Sequence, residues 1–338
     1  MEALLAYPNA AAHPLPRAWA LNALAFLTDT QYHPFALQLH DEALALFRAH
    51  GDRAGIAWAL TTANGPLWLQ VRFADAIQRQ EEGLAIYRDL GDRWQELRVL
   101  ALLGQSYLLH GESPRAEAAL REARAGAAVI GDRWLQARAT QILAVTLLMR
   151  TEWSRAGWTA PEAEALLAET VQLSRAVGDI PGLSDALNTL GEVQGLQGKL
   201  VQATESFKAA LAVGQNPGDW FGPTWARAHL GMLAQRQGEL ARAAHLLTQA
   251  LTRILTVEQQ PGIGFVLKSL GELAFALRQP ERAARLLGAA GRIMRERNEV
   301  ELAAYFAEFD DDLARVRDSL GEAAYQRAWA AGEAMSFD

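Results

Sequence analysis

This 338-residue sequence predicts an all-α solenoid of helix pairs, and three observations predict it. The first is a period: Gly51-Asp52-Arg53, Gly91-Asp92-Arg93 and Gly131-Asp132-Arg133 recur every 40 residues. Gly178-Asp179 follows after 47, Gly218-Asp219 after 40 more, and Glu258 holds the next equivalent slot. A period of this size marks units that bury their apolar faces only against their neighbours. The second is composition, rich in the helix formers Leu, Ala, Glu, Arg and Gln, with no alternating β-branched run that would signal strands. The third is a pair of small-residue phases. Gly104, Gly191, Gly231 and Gly271 share one phase, with Ala144 and Asn64 in the other two units, and Ala76, Ala116, Ala163, Ala203, Ala243 and Ala283 share another. A mid-helix glycine costs about 1 kcal/mol relative to alanine, so its repetition calls for close approach of a partner helix.

Taken in order along the chain, residues 1–10 read as the stub of a second helix whose first helix is missing, which suggests a fragment of a longer protein. Residues 11–290 form the array, with units starting near 11, 51, 91, 131, 178, 218 and 258, about seven pairs in a right-handed superhelix. The unit at Gly91 serves as the pattern. Trp94 to His110 is one amphipathic helix with Leu97, Leu100, Leu103 and Tyr107 at helical spacing. Gly111 ends it, Ser113 is the expected N-cap, and Pro114 takes the first helical position. The second helix runs to about Ile130, where Gly131 supplies the left-handed closing residue and Asp132 caps the next helix. The unit at 131 carries seven extra residues within Thr151–Pro161, including Trp153 and Trp158. These either fold back on the array or contact another domain or ligand. Residues 291–338 are expected to be a helical cap, with Tyr305, Phe306, Phe309, Tyr325 and Trp329 covering the last pair.

Composition excludes several functions. A net charge of −7 argues against a nucleic-acid grip. The absence of cysteine rules out disulfides, thiol catalysis and Cys-based zinc sites, and fits a reducing cytoplasm. No apolar run reaches the roughly 18–20 residues of a membrane span, and the N-terminus lacks the pattern of a signal peptide. No phosphate-binding loop or His-Glu-x-x-His motif is present. Gly262-Ile-Gly264 is too short for a dinucleotide fingerprint, and Asp310-Asp311-Asp312 point in different directions on a helix. No catalytic residue, metal site or cofactor is therefore expected.

The inner wall of first helices remains, and reading one phase across units gives ladders. Seven residues after each start come Trp58, Arg98, Arg138, Asp185, Trp225 and Phe265; ten after, Gln141, Asn188 and Lys268. Phase fourteen adds Gln105, Glu192 and Glu272, and phases seventeen and eighteen add Trp68, Gln235 and Arg236. These are the candidate groove residues. Trp58 and Trp225 read equally as packing or contact residues. Arg98 and Arg138, in adjacent units, either pair with a local Glu or grip a carboxylate or phosphate.

The Leu-Gly pairs at 103–104, 190–191, 230–231 and 270–271, the repeated alanines, Tyr107, Gly111 and Phe207 make the chain resemble the tetratricopeptide repeat (TPR). It departs from that family in having leucine for the first-helix tryptophan, in lacking the late proline, and in its unit of about 40 residues rather than 34. The longer unit, with Glu281–Ala290 and Leu320–Ser336, resembles the sensor arrays of bacterial signal-transducing ATPases and LuxR-type transcriptional regulators. That resemblance implies a non-catalytic module that binds a peptide, protein or small inducer and relays it to an attached nucleotide-binding switch domain. It implies no direct nucleic-acid or membrane contact. A free-standing adaptor is the alternative, and a reading frame continuing upstream would decide between them.

Overall fold

The computed structural model describes residues 12–29, 35–150, 161–213, 221–256, 262–297 and 313–336; they are helical, with no strand among them. The chain divides into two compact units, 1–150 and 151–338. The division falls at the insertion in the unit at 131; residues 151–160, with both insertion tryptophans, lie outside the described residues, as do the stub and Asp310–Asp312.

The first unit holds α1 (Pro14–Asp29) and α2 (Ala36–His50), then α3 (Arg53–Thr62), α4 (Asn64–Leu69) and α5 (Phe73–Leu90). α6 (Arg93–Leu109), α7 (Ser113–Ile130) and α8 (Arg133–Arg150) complete it. The second unit holds α9 (Pro161–Val177), α10 (Ile180–Leu196), α11 (Leu200–Val213), α12 (Phe221–Arg236), α13 (Leu240–Ile254), α14 (Ile263–Ala276) and α15 (Pro280–Arg297). A helical stretch at 313–320 and α16 (Glu322–Glu333) follow. Within each unit successive helices pack as antiparallel pairs, a TPR-like helix-pair solenoid.

The Gly-Asp corner does three things at once. Glycines 51, 91, 131 and 178 sit in the left-handed region at φ 66–76°, closing one helix. The next residue caps the following helix: Asp52 accepts from Gly55 N at 2.9 Å, Asp92 from Gln95 N at 3.1 Å, Asp132 from Leu135 N at 2.9 Å and Asp179 from Gly182 N at 3.1 Å. The second carboxylate oxygen ties back the preceding first helix, since Trp19 Nε1 donates to Asp52 Oδ2 (3.2 Å) and Trp94 Nε1 to Asp132 Oδ2 (2.6 Å). At the turn inside the third pair the N-cap is Glu112 rather than Ser113, which is already helical, and neither makes a side-chain cap bond.

The mid-helix glycines are there for packing. Leu120 lies on Gly104, Phe207 on Gly191, Leu247 on Gly231 and Leu287 on Gly271. A methyl group on any of the last three would sit 2.8 Å from the partner side chain. The alanines at the other small phase are at most 1% exposed. The unit at 51 departs from the pattern because its first helix breaks at Ala63. Pro66 has no N–H, and its ring crowds the carbonyl of Thr62, so α3 stops and α4 begins.

The turn register occupied by left-handed Gly111, Gly198 and Gly238 carries Val71 (φ 58°) and Arg278 (φ 59°) in the other two described pairs. A β-branched residue is costly there, so Val71→Gly is expected to stabilise the protein by about 1 kcal/mol despite glycine's extra chain entropy. Urea melts of the two forms check this; a lower midpoint for the variant would contradict the strain.

At the C-terminal end α15 runs unbroken through residue 291 to Arg297, so no boundary falls at 291. Val316 and Tyr325 join Ala274, Ala283, Ala284 and Leu287 in one buried cluster, with Trp329 packed against it. α16 crosses α15 closely: a side chain on Gly288 would meet the Trp329 carbonyl oxygen at 2.6 Å. Tyr305, Phe306 and Phe309 lie outside the described residues.

Candidate functional site

The candidate groove residues fall into two walls, one per unit. In the first, α3, α6 and α8 are the first helices of successive pairs. The guanidinium of Arg98 stands over the Trp58 ring, 5.1 Å from its centre, and donates to Thr61 Oγ1 (2.9 Å) and Gln95 Oε1 (2.6 Å). Burial pulls Arg98 below the ordinary guanidinium value, partly offset by Tyr87, and burial likewise raises the Tyr87 phenol. Arg98 is thus a seam residue between α3 and α6. Its partners are not the local Glu that one sequence reading offered. Trp68 Nε1, on α4, donates to Ser106 Oγ further along the same seam at 2.9 Å.

Arg138 differs. It is half-buried on α8 and has no hydrogen bond or ion pair among the described residues. Gln141 is one turn further along the same helix, and Gln105 is on α6, which packs against α8. Gln141 is buried, Gln105 half-buried.

The second wall is built from α10, α12 and α14. Glu192 Oε1 accepts from Trp225 Nε1 at 2.6 Å and lies 3.1 Å from His229 Nε2. His229, fully buried, is enclosed by Phe207 (4.8 Å, stacked), Trp225 (5.1 Å, edge-on) and Phe265 (4.8 Å, tilted). The outer face belongs to Phe221, stacked on Trp225 at 5.6 Å. Asn188 Nδ2 donates to the Gly222 carbonyl at 3.1 Å, and Lys268 pairs with Glu272 one turn on. Asp185 and Gln235 are half-buried and Arg236 is exposed.

Several expected groove residues therefore face the seams. Gln141, Asn188, Glu192, Phe265 and Lys268 are buried, Phe265 to 1% exposure. The physical reason is that first helices lie side by side, so a side chain at phase seven, ten or fourteen meets the neighbouring helix wherever the two pack closely, instead of pointing outward. Sequence reading did not single out His229 and so missed its place at the centre of the aromatic cluster. The signal was present: Trp225 and His229 are one helical turn apart, so they share a face. The His229–Glu192 pair lies under these rings, closed to any substrate. Among the described residues no group of three or more potential metal ligands occurs, and no helix is long and apolar enough to cross a membrane.

No protein-family model and no curated protein matches the sequence. Solved structures do. A Signal Transduction ATPase with Numerous Domains (STAND) protein with a tetratricopeptide repeat sensor, from Pyrococcus horikoshii, matches over 94% of this chain and 47% of its own, with a TM-score of 0.62 and 13% identity. The chain thus spans about half the length of that protein. The apo form of the quorum sensor NprR from B. thuringiensis matches over 92% of this chain and 87% of its own, with a TM-score of 0.63 and 13% identity. NprR in complex with its cognate peptide NprX matches over 85% and 83%, with a TM-score of 0.52 and 11% identity. At such identities the likeness is one of architecture: the chain has the helix-pair fold of tetratricopeptide-repeat sensor regions.

Proposed function

We propose that this chain is a non-catalytic binding module, the cytoplasmic sensor array of a signalling ATPase or transcriptional regulator. It takes a peptide, a protein segment or a small inducer on its first-helix wall and relays occupancy to an attached nucleotide-binding switch domain. The observation that carries the reading is Arg138. A half-buried guanidinium with no protein partner among the described residues is free to take a ligand, and a carboxylate satisfies it by bidentate hydrogen bonding, with the half-buried Gln105 on the neighbouring α6 as a neutral donor. Arg98, committed to Trp58, Thr61 and Gln95, positions the seam and is not the second half of a clamp. The cognate peptide bound by NprR and the tetratricopeptide repeat sensor of the STAND protein support a ligand of this kind.

The test is a thermal-stabilisation screen with peptides and small carboxylic acids, followed by calorimetric titration of Arg138→Ala. Charge-assisted hydrogen bonds contribute about 1.5–3 kcal/mol, so the variant is expected to bind about ten- to hundredfold more weakly. Its own stability should stay within about 0.5 kcal/mol, as for other substitutions away from the core. A peptide ligand should lose affinity equally when its carboxyl terminus is amidated, if that terminus is the anchor. Native affinity in the variant would remove Arg138 from the site.

A further inference from the structure

A cleft of about 580 Å³ opens on the other side of the first unit, between the second helices α5 and α7, with α6 beneath. Its volume lies within the range of small-molecule sites. Its floor is apolar: Leu84 from α5, Leu100 and Leu103 from α6, and Ala119 from α7. From Leu100 to Tyr107 this floor follows α6 for two turns, about 10 Å. Alanines at Ala85 and Ala118 leave the mouth open, where longer side chains would close it.

Both ends carry charges that are already spoken for. At one end Arg115 donates to Glu81 (2.6 Å) and Glu112 (2.8 Å) and covers the Tyr107 ring at 4.1 Å. The Tyr107 hydroxyl donates to Glu81 (2.7 Å) and accepts from Arg115 (2.8 Å). At the other end Arg88 donates to Glu96 (3.0 Å) and Glu122 (3.4 Å), and Asp89 pairs with Arg53 (2.7 Å). A charged guest would have to break one of these pairs and would gain little in exchange, because exposed ion pairs are weak. The surface left for a guest is the apolar floor, where burial contributes about 25 cal/mol per Å².

We propose that this cleft is a second binding site, separate from the first-helix wall, for an uncharged apolar small molecule lying along α6 between the two ion-paired ends. N-phenylnaphthylamine, an uncharged dye that fluoresces in apolar surroundings, is the probe, titrated into the full chain. Saturable binding at one site per chain is expected. Ala118→Trp and Ala85→Trp, both at exposed mouth positions, should each weaken it by about tenfold or more with unchanged melting temperature. Anilinonaphthalene sulfonate, similar in size but anionic, should bind about tenfold more weakly than the uncharged dye. Arg138→Ala should bind the dye with native affinity, so the two sites fail independently. Absence of saturable binding, native affinity in both tryptophan variants, equal binding of the sulfonate, or loss of binding in Arg138→Ala would each overturn the proposal.

Discussion

Gly231→Leu is expected to lower the stability of the protein by about 3 kcal/mol, the upper end of what overpacking a core costs. A Cβ at this position would stand 2.8 Å from Leu247 Cγ, 3.0 Å from its Cδ2 and 3.4 Å from Leu246 Cβ, before any further atoms are added. α12 and α13 would have to separate, and the cluster joining Ala243, Leu247 and Ala250 to α14 and α15 would open with them. Gly195 supplies the opposite result on the same kind of helix. The nearest neighbour of a Cβ there is Ala203, 3.9 Å away, so Gly195→Ala fits and should gain up to about 1 kcal/mol from helix propensity alone. Urea midpoints of the two variants should therefore move in opposite directions. Equal midpoints would show that close helix approach is not what these glycines serve.

The second large effect is a loss of stability in mild acid, centred on His40. This residue is fully buried on α2, its Nδ1 2.7 Å from Asn22 Oδ1, which belongs to the same buried group as Thr62. Its Nε2 is buried and has no partner among the described residues. Burial, reinforced by the nearby positive charge of Arg79 and opposed by Asp41, holds its pKa down at about 4, against an ordinary value of 6.5. The folded protein therefore prefers the neutral imidazole, while the unfolded chain takes up a proton below pH 6.5. The resulting contribution, about 3 kcal/mol, is fully present above neutrality and is lost as the pH falls from about 6.5 to 4. Chemical denaturation across this window should show the slope, and His40→Leu should flatten it. Leucine is the residue that stands in the same register at Leu120, Leu247 and Leu287. A slope unchanged in the variant would assign the acid sensitivity to other groups.

His40 also shows where sequence reading reaches its limit. In its register the later pairs place Leu120, Phe207, Leu247 or Leu287 on a glycine, a pattern visible in the period itself. His40 and Gln80 break that rule in the first two pairs, both fully buried. Nothing in the spacing says that a histidine there would be enclosed with Asn22 and Thr62 from two neighbouring first helices. That arrangement joins side chains whose sequence separations are 18 and 40 residues.

The sequence by itself determined the helix pairs, their corners and their small-residue contacts, because these rest on local chemistry repeated at one phase. A left-handed glycine, an aspartate one residue later and a hydrogen bond to the backbone three residues on are short-range facts, legible at Asp52, Asp92, Asp132 and Asp179. The tertiary structure alone decided which wall residues point outward. Phase places Arg98 and Arg138 identically, yet one is consumed by Trp58, Thr61 and Gln95 of its own unit and the other has no partner among the described residues. It also decided that Lys268 and Phe265 are buried, and that a cleft opens between α5 and α7. Helical phase sets the direction of a side chain relative to its own axis. Whether that direction meets solvent or a neighbour depends on how adjacent helices rotate and pack, which no single helix encodes.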